Sequence, residues 1–141
     1  AHAEPLPLHE GAVLHVAKSP LLAVTVGLGD RYALEARPAL EKEGVTYSVY
    51  DLRYVKPLPE DLFSFIKKQR IKKVVVIEEN VVAGGAGSAI LEELSRRRLA
   101  VQVELIGIPD QFIPHGTQEE LREQFGLGPT AFREAMRRLA R

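Results

Sequence analysis

The sequence predicts an α/β domain of three layers: a mostly parallel, twisted sheet of about five strands with helices on both faces. Two observations predict it. Apolar strand-like runs alternate with amphipathic segments, and strand–helix–strand units of this length need crossover connections, which make the strands parallel. The strand runs are also almost continuously apolar, which is typical of strands buried on both faces. A chain of 141 residues fits one such domain.

The amino-terminal residues predict a linker rather than part of the fold. Residues 1–10 are polar and contain Pro5 and Pro7, and prolines stiffen an extended segment. We therefore expect an interdomain linker over 1–10 and the domain over 11–141. The chain begins at Ala1, and its one methionine is Met136, so we interpret it as a piece of a longer protein.

The first elements follow from apolar runs and the residues that end them. Residues 12–16 predict a short edge strand, and residues 21–26 predict a buried strand that ends at Gly27. A helix is predicted over 31–43, before Gly44. Its buried face is predicted to carry Tyr32, Ala36, Ala39 and Leu40, and Pro38 predicts a kink.

The middle of the chain repeats the alternation. Residues 46–52 are rich in β-branched and aromatic side chains and predict a strand. Proline and acidic residues over 57–61 suit the first turn of a helix. This helix would turn Leu62, Phe63 and Ile66 inward. Residues 74–77 give the clearest buried strand.

The carboxyl-terminal part supplies the remaining elements. Glycines over 84–87 predict a tight turn into a helix, and residues 101–108 predict a further strand. Thr117 and Glu120 form a capping-box pattern for a helix with Leu121 and Phe125 buried. A last helix is predicted over about 129–138, with four residues at core spacing: Phe132, Ala135, Met136 and Leu139.

Composition and charge exclude several classes of function. Lys and Arg total 19, as do Asp and Glu, and this balance argues against nucleic-acid binding. The absence of cysteine excludes disulfide scaffolds, thiolate metal sites and a cysteine nucleophile. No apolar run approaches the ~20 residues needed to cross a bilayer. Basic runs over 67–73, 96–98 and 137–141 fall at predicted helix ends, where we expect solvated cations.

Polar residues follow the predicted strands where ligands bind to open α/β sheets, beyond the carboxyl ends. Such an edge is able to form a site or an interface with another domain. The glycines at 27 and 29 lack the third glycine of a dinucleotide fingerprint, and those over 84–87 lack the lysine of a P-loop. The residues collected at this edge are Gly27, Gly29, Asp30, Asp51, Arg53, Glu78, Glu79, Asn80, Pro109, Asp110 and His115.

Three segments resemble a known family. Residues 51–58 and 76–89 are similar to the carboxyl-terminal domain of transketolase-like thiamine-diphosphate enzymes. The pattern Pro-Asp-x-Phe-x-x-His-Gly over 109–116 resembles the end of the 1-deoxy-D-xylulose-5-phosphate synthases, to which it is rather specific. The Asp-Leu-Arg at 51–53 also resembles the β subunits of 2-oxoacid dehydrogenases, which lack the His-Gly pattern and are the alternative.

The resemblance implies a cytoplasmic homodimeric enzyme that condenses pyruvate with glyceraldehyde 3-phosphate, using thiamine diphosphate and Mg²⁺. The family binds both in its preceding domains, which would be this chain's partners. The cofactor motif is broken here, since Arg31 follows Gly29 and Asp30 and the only asparagine is Asn80.

We therefore expect no cofactor, metal or catalytic residue in this chain, and no nucleic-acid or membrane partner. Candidates for interdomain contact or anion binding are Arg53, Glu79, Gly85 and His115. A second hypothesis is a free-standing module of the same fold that binds a small anion near Gly85 or His115.

Overall fold

The computed structural model describes residues 7–141. It contains five strands and five helices in this part of the chain. In chain order they are β1 (Ala12–His15), β2 (Leu21–Thr25), α1 (Gly29–Lys42), β3 (Ser48–Asp51), α2 (Glu60–Lys68), β4 (Lys73–Val81), α3 (Ala86–Arg96), β5 (Gln102–Ile108), α4 (Gln118–Gln124) and α5 (Pro129–Ala140). Most of the predicted linker lies outside the described residues.

The strands form one sheet in the order β1-β3-β2-β4-β5. The strands β3, β2, β4 and β5 are parallel, and only β1 is antiparallel to its neighbour. The predicted fold class is thereby confirmed. Because parallel strands share one direction, their carboxyl ends meet at one edge of the sheet and their amino ends at the other.

Alternate residues of the central strands bury opposite faces of the sheet. On β4, Val75 and Ile77 join the core beneath α1 and α5, whereas Val74 and Val76 join the core beneath α2 and α3. The strand alternates because successive side chains point to opposite faces. Helices from this one chain therefore cover both faces.

Helix α1 differs from its prediction in its start and its buried face. It begins at Gly29, where an added Cβ would lie 2.6 Å from Ile77 Cγ2, so only glycine allows this close approach to the sheet. Ala33 is buried and Ala39 is exposed. The helix continues through Pro38, which faces solvent and removes one backbone donor.

Helix α4 is less buried than predicted. The structure confirms its capping box, with Thr117 accepting from the Glu120 amide and Glu120 accepting from the Thr117 amide. Leu121 and Phe125, however, are only half-buried, and α4 contains no buried residue. The reason is that α4 lies at the edge of the sheet, where its side chains pack only partly against the core beneath α1 and α5.

Four helices end in the same backbone arrangement, with a left-handed residue just after the helix. Helices α1 and α4 place Gly44 (φ +82°) and Gly126 (φ +69°) there, as is usual. Helices α2 and α3 place Arg70 (φ +54°) and Arg98 (φ +55°) there instead. In each case the next residue's amide bonds back to the carbonyl five residues earlier, as from Ile71 to Ile66 at 2.9 Å.

Replacing Arg98 by glycine is predicted to stabilise the domain. A left-handed conformation costs an L-residue roughly 1–2 kcal/mol, and glycine removes this cost. Glycine also has greater backbone freedom in the unfolded chain, which cancels about 0.5–1 kcal/mol of the gain. We expect Arg98→Gly to raise the free energy of unfolding by about 0.5–1 kcal/mol, measured by chemical denaturation. The control Lys68→Gly removes a cation from within a last helical turn and should destabilise by about 1 kcal/mol. Equal effects of the two changes would contradict this account.

Candidate functional site

The carboxyl edge of the sheet carries all four candidate residues. Arg53 follows β3, Glu79 lies near the end of β4, Gly85 lies in the turn before α3, and His115 lies in the loop between β5 and α4. Within residues 7–141, the side chains of Arg53, Glu79 and His115 form no hydrogen bond or ion pair with one another. The four candidates therefore share one edge but do not form one cluster.

Arg53 is held by the strand that it follows. Its backbone is left-handed (φ +56°), and its amide donates to Asp51 Oδ1 at 3.3 Å. Its guanidinium Nε donates to Asp51 Oδ2 at 3.2 Å. Asp51 thus fixes both the backbone and the side chain of Arg53 beyond the sheet.

Glu79 joins the end of β4 to α4. The guanidinium of Arg122 donates to Glu79 Oε1 at 2.6 Å. Arg122 also donates to Gln118 Oε1 at 3.3 Å, one turn earlier on α4. The ion pair is partly exposed, so it contributes position more than stability.

The sequence predicted Glu78 at this edge but did not indicate its partners. In the structure, Glu78 joins the end of β4 to the start of α3. Its side chain is 2 % exposed. Its two carboxylate oxygens accept from the amides of Ala86 at 2.8 Å and Gly87 at 2.9 Å. These amides begin α3, where backbone donors lack partners within the helix and the dipole favours negative charge.

The pairing of β4 with β5 changes register after Ile77, beside Glu78. Ile77 pairs with Ile106 and Val81 with Ile108, so four positions along β4 correspond to two along β5. Gly107 lies against the shifted segment, where an added Cβ would lie 2.6 Å from Val82 Cγ2 and 3.0 Å from the Asn80 oxygen. A bulge of this kind re-aims side chains at a strand end.

Gly85 is required by the close packing of this turn. A Cβ added there would lie 2.5 Å from the carbonyl oxygen of Val81 and 2.7 Å from Glu78 Oε1. An external anion at the first amides of α3 would have to displace Glu78. Nearby, the Ser88 hydroxyl donates to the Val82 carbonyl at 2.7 Å and accepts from the Gly84 amide at 3.1 Å. Ser88 therefore closes the turn.

The loop that contains His115 projects from the edge. Residues 109–120 are all exposed, and the Phe112 ring lies wholly in solvent. A groove of about 300 Å³ lies beside it, with the Glu79–Arg122 ion pair at its side. Its apolar lining residues are Ile108, Ile113, Leu121, Phe125 and Leu127.

The groups at the carboxyl edge are engaged to different degrees. In the described part of the chain, no three His, Asp or Glu side chains are grouped so as to hold a metal ion. Arg53, Glu78 and Glu79 are engaged by local partners, whereas His115, Phe112 and the apolar groove are exposed. Among the helices over 7–141, none is both long and apolar enough to cross a bilayer.

Comparison with known proteins gives a consistent family. The family model described as "Transketolase, C-terminal domain" matches residues 10–131. The 1-deoxy-D-xylulose-5-phosphate synthase of Magnetococcus marinus is 42% identical over 119 residues, which are 82% of this chain and 19% of the relative. The synthase of Heliobacterium modesticaldum is 39% identical over 136 residues, which are 96% of this chain and 21% of that relative.

A solved structure has the same fold. It is described as a split-gene transketolase in an inactive β4 tetramer, and it superimposes with a TM-score of 0.83 at 32% sequence identity. The match covers 95% of this chain and 43% of that chain. This chain spans about a fifth of the length of the curated relatives that it matches.

Glu78→Gln is predicted to destabilise the domain far more than Glu79→Gln. The glutamine amide would place an NH₂ group against an α3 amide, and loss of a hydrogen bond to a charged buried group costs about 1.5–3 kcal/mol. Glu79→Gln weakens a partly exposed ion pair and should change stability by no more than about 1 kcal/mol. Urea unfolding of both variants measures the difference. Equal, small effects would show that Glu78 does not organise the turn.

Proposed function

Because the chain belongs to the transketolase C-terminal domain family, we propose that it is the carboxyl-terminal domain of a 1-deoxy-D-xylulose-5-phosphate synthase. The observation that carries this proposal is the 42% identity to the Magnetococcus marinus synthase over 82% of this chain. The Pro-Asp-x-Phe-x-x-His-Gly pattern at 109–116 supports the same assignment. The 2-oxoacid dehydrogenase alternative is less favoured, since the Magnetococcus and Heliobacterium relatives are both synthases.

The complete enzyme would condense pyruvate with glyceraldehyde 3-phosphate, release carbon dioxide and supply precursors for isoprenoids, thiamine and pyridoxal. Thiamine diphosphate and Mg²⁺ would supply the carbanion chemistry when bound. We place both in the preceding domains, in a cytoplasmic homodimer. The proposed contribution of this domain is contact with those neighbours and support of the dimer.

The described residues do not fit a thiamine-diphosphate and magnesium site. Gly29 is buried inside the start of α1 and packed against Ile77. The carboxylate of Asp30 accepts from the amide of Arg31, and Asn80 is exposed at the end of β4. We therefore assign no catalytic step to the residues of this chain.

We propose that the carboxyl edge of the sheet is the surface that meets the preceding domains. Phe112 is an exposed aromatic side chain beside an apolar groove, and buried aromatic side chains are common anchors of interfaces. Arg53 and His115 lie exposed at the same edge, where they suit a polar rim. Glu79 and Gly85 would act mainly by fixing the shape of the surface.

The first expected result concerns the cofactor. Calorimetric titration of the 141-residue chain with thiamine diphosphate and Mg²⁺ should give no saturable binding, because the chain lacks the fitting residues. The Magnetococcus marinus synthase, titrated in parallel, is the positive control. Tight binding by this chain would contradict its role as a domain without the cofactor.

The second expected result concerns the edge itself. A chimera carrying this chain in place of the matching segment of the Magnetococcus marinus synthase should form the five-carbon sugar phosphate. Phe112→Asp should lower that activity at least about tenfold, since a carboxylate buried at an interface costs more than 1.4 kcal/mol. Val13→Asp is the matched control, since Val13 is an exposed apolar residue on β1, at the side of the sheet farthest from β5, and it should have little effect.

Two outcomes would contradict the proposal. A chimera that is folded by circular dichroism and gel filtration but inactive would count against the synthase assignment. An active chimera in which Phe112→Asp and Val13→Asp behave alike would count against the carboxyl edge as the docking surface.

A further inference from the structure

The opposite, amino-terminal edge of the sheet carries exposed cations that the proposed function does not use. We name four of them the basic edge: Lys18, Lys67, Arg70 and Lys72. Lys67, Arg70 and Lys72 line a cleft of about 320 Å³. Lys18 and Arg70 line an adjoining cleft of about 390 Å³. Arg70 thus stands between the two, and neither lining contains an acidic residue.

These cations differ from several of the other basic residues at the helix ends, which are paired with carboxylates. We expected solvated cations at all of those ends, but Arg97 pairs with Glu60 and Glu93. Likewise Arg137 pairs with Glu43, at 2.7 Å. Across residues 7–141, no member of the basic edge makes an ion pair. Lys68, Arg98 and Arg141 also make no ion pair in this part of the chain, but they line neither cleft.

Helix electrostatics explain only part of the basic edge. Lys67 lies in the last turn of α2, where a cation is favoured, but that effect falls off beyond the last turn. Arg70 and Lys72 lie past the helix end. Arg70 also occupies the left-handed position (φ +54°) at which α1 and α4 have glycine, so its backbone is strained for an L-residue. Strain of this kind is a reason to examine the position for function.

The floor of the first cleft is apolar. Ile66 and Ile71 are buried beneath it, and Leu99 and Val101 are half-buried on the side contributed by the α3–β5 connection. A concave apolar surface of this volume, bordered by a few charged groups, is typical of small-molecule sites. The cations lie at its rim, on and just after α2.

We propose that this cleft binds a small organic phosphate, with Lys67, Arg70 and Lys72 contacting the phosphate and the apolar floor packing against the organic group. Arginine and lysine are the side chains that recognise phosphate through charge-assisted hydrogen bonds. The concave apolar floor favours a compact ligand over an extended polyanion, which needs a long basic surface and stacking aromatic residues. This inference is independent of the proposed function.

Titration of the ¹⁵N-labelled chain with phenyl phosphate, inorganic phosphate and phenol tests the proposal. Phenyl phosphate should bind saturably and at least about tenfold more tightly than either other probe. It alone has both a phosphate for the cations at the rim and an apolar ring for the floor of the cleft. The amide shifts it causes should centre on residues 66–72 and 99–101. If inorganic phosphate binds as tightly as phenyl phosphate, the apolar floor does not contribute to binding and the proposal of an organic phosphate is wrong.

Two glycine variants separate binding from folding. Arg70→Gly and Arg98→Gly remove the same side chain from the same left-handed cap position, but Arg98 lines neither cleft. Both should raise the midpoint of thermal unfolding by a similar amount. Only Arg70→Gly should weaken phenyl phosphate binding, by at least about tenfold, and Lys72→Gln should weaken it in the same direction.

Three results would overturn the proposal. Phenyl phosphate that fails to saturate in the millimolar range would show that no site exists. Equal weakening by Arg70→Gly and Arg98→Gly would show diffuse attraction to positive charge. A heparin fragment that binds more tightly than phenyl phosphate, with equal sensitivity to both variants, would identify a polyanion surface.

Discussion

The carboxylate of Glu78 is the constraint on which the shape of the carboxyl edge depends. It is buried and charged at the end of a strand, so it needs partners, and the first amides of α3 supply them at 2.8 and 2.9 Å. Glu78 lies on the same face of β4 as Val74 and Val76, and the register of β4 against β5 shifts beside it, between Ile77 and Val81. The turn must also come so close that Gly85 has no room for a Cβ. Strand, turn and helix are therefore fixed together.

The alternation of side chains along β4 also determines what the edge presents to its surroundings. Once Glu78 is turned inward, Glu79 lies outward and reaches Arg122 on α4. That pair holds α4 beside the groove, although α4 buries no residue of its own. A helix with so little core contact depends on its capping box and on such edge contacts for its position. The exposed loop before it therefore projects from a defined base.

The sequence predicted the central part of the fold because burial there leaves a simple pattern. Residues 74–77 are apolar without interruption, and the structure buries all four between two helical layers. The extension of β4 to Val81 was not predictable, since a bulge leaves no periodic signal. Which of Glu78 and Glu79 is buried depends on which face of the sheet α3 covers. Glu78 lies on the same face of β4 as Val74 and Val76. The alternation of the strand therefore predicts that Glu78 is buried, once α3 is known to cover that face.

The two edges of the sheet expose different groups. The helices of this chain bury both faces of the sheet, so its edges present loops and helix ends. The carboxyl edge exposes an aromatic ring, Phe112, beside an apolar groove, while the amino edge exposes cations, centred on Arg70. Apolar surface favours permanent burial, whereas exposed cations favour reversible, salt-sensitive binding. One fold thereby presents two chemically different surfaces at opposite ends of the same strands.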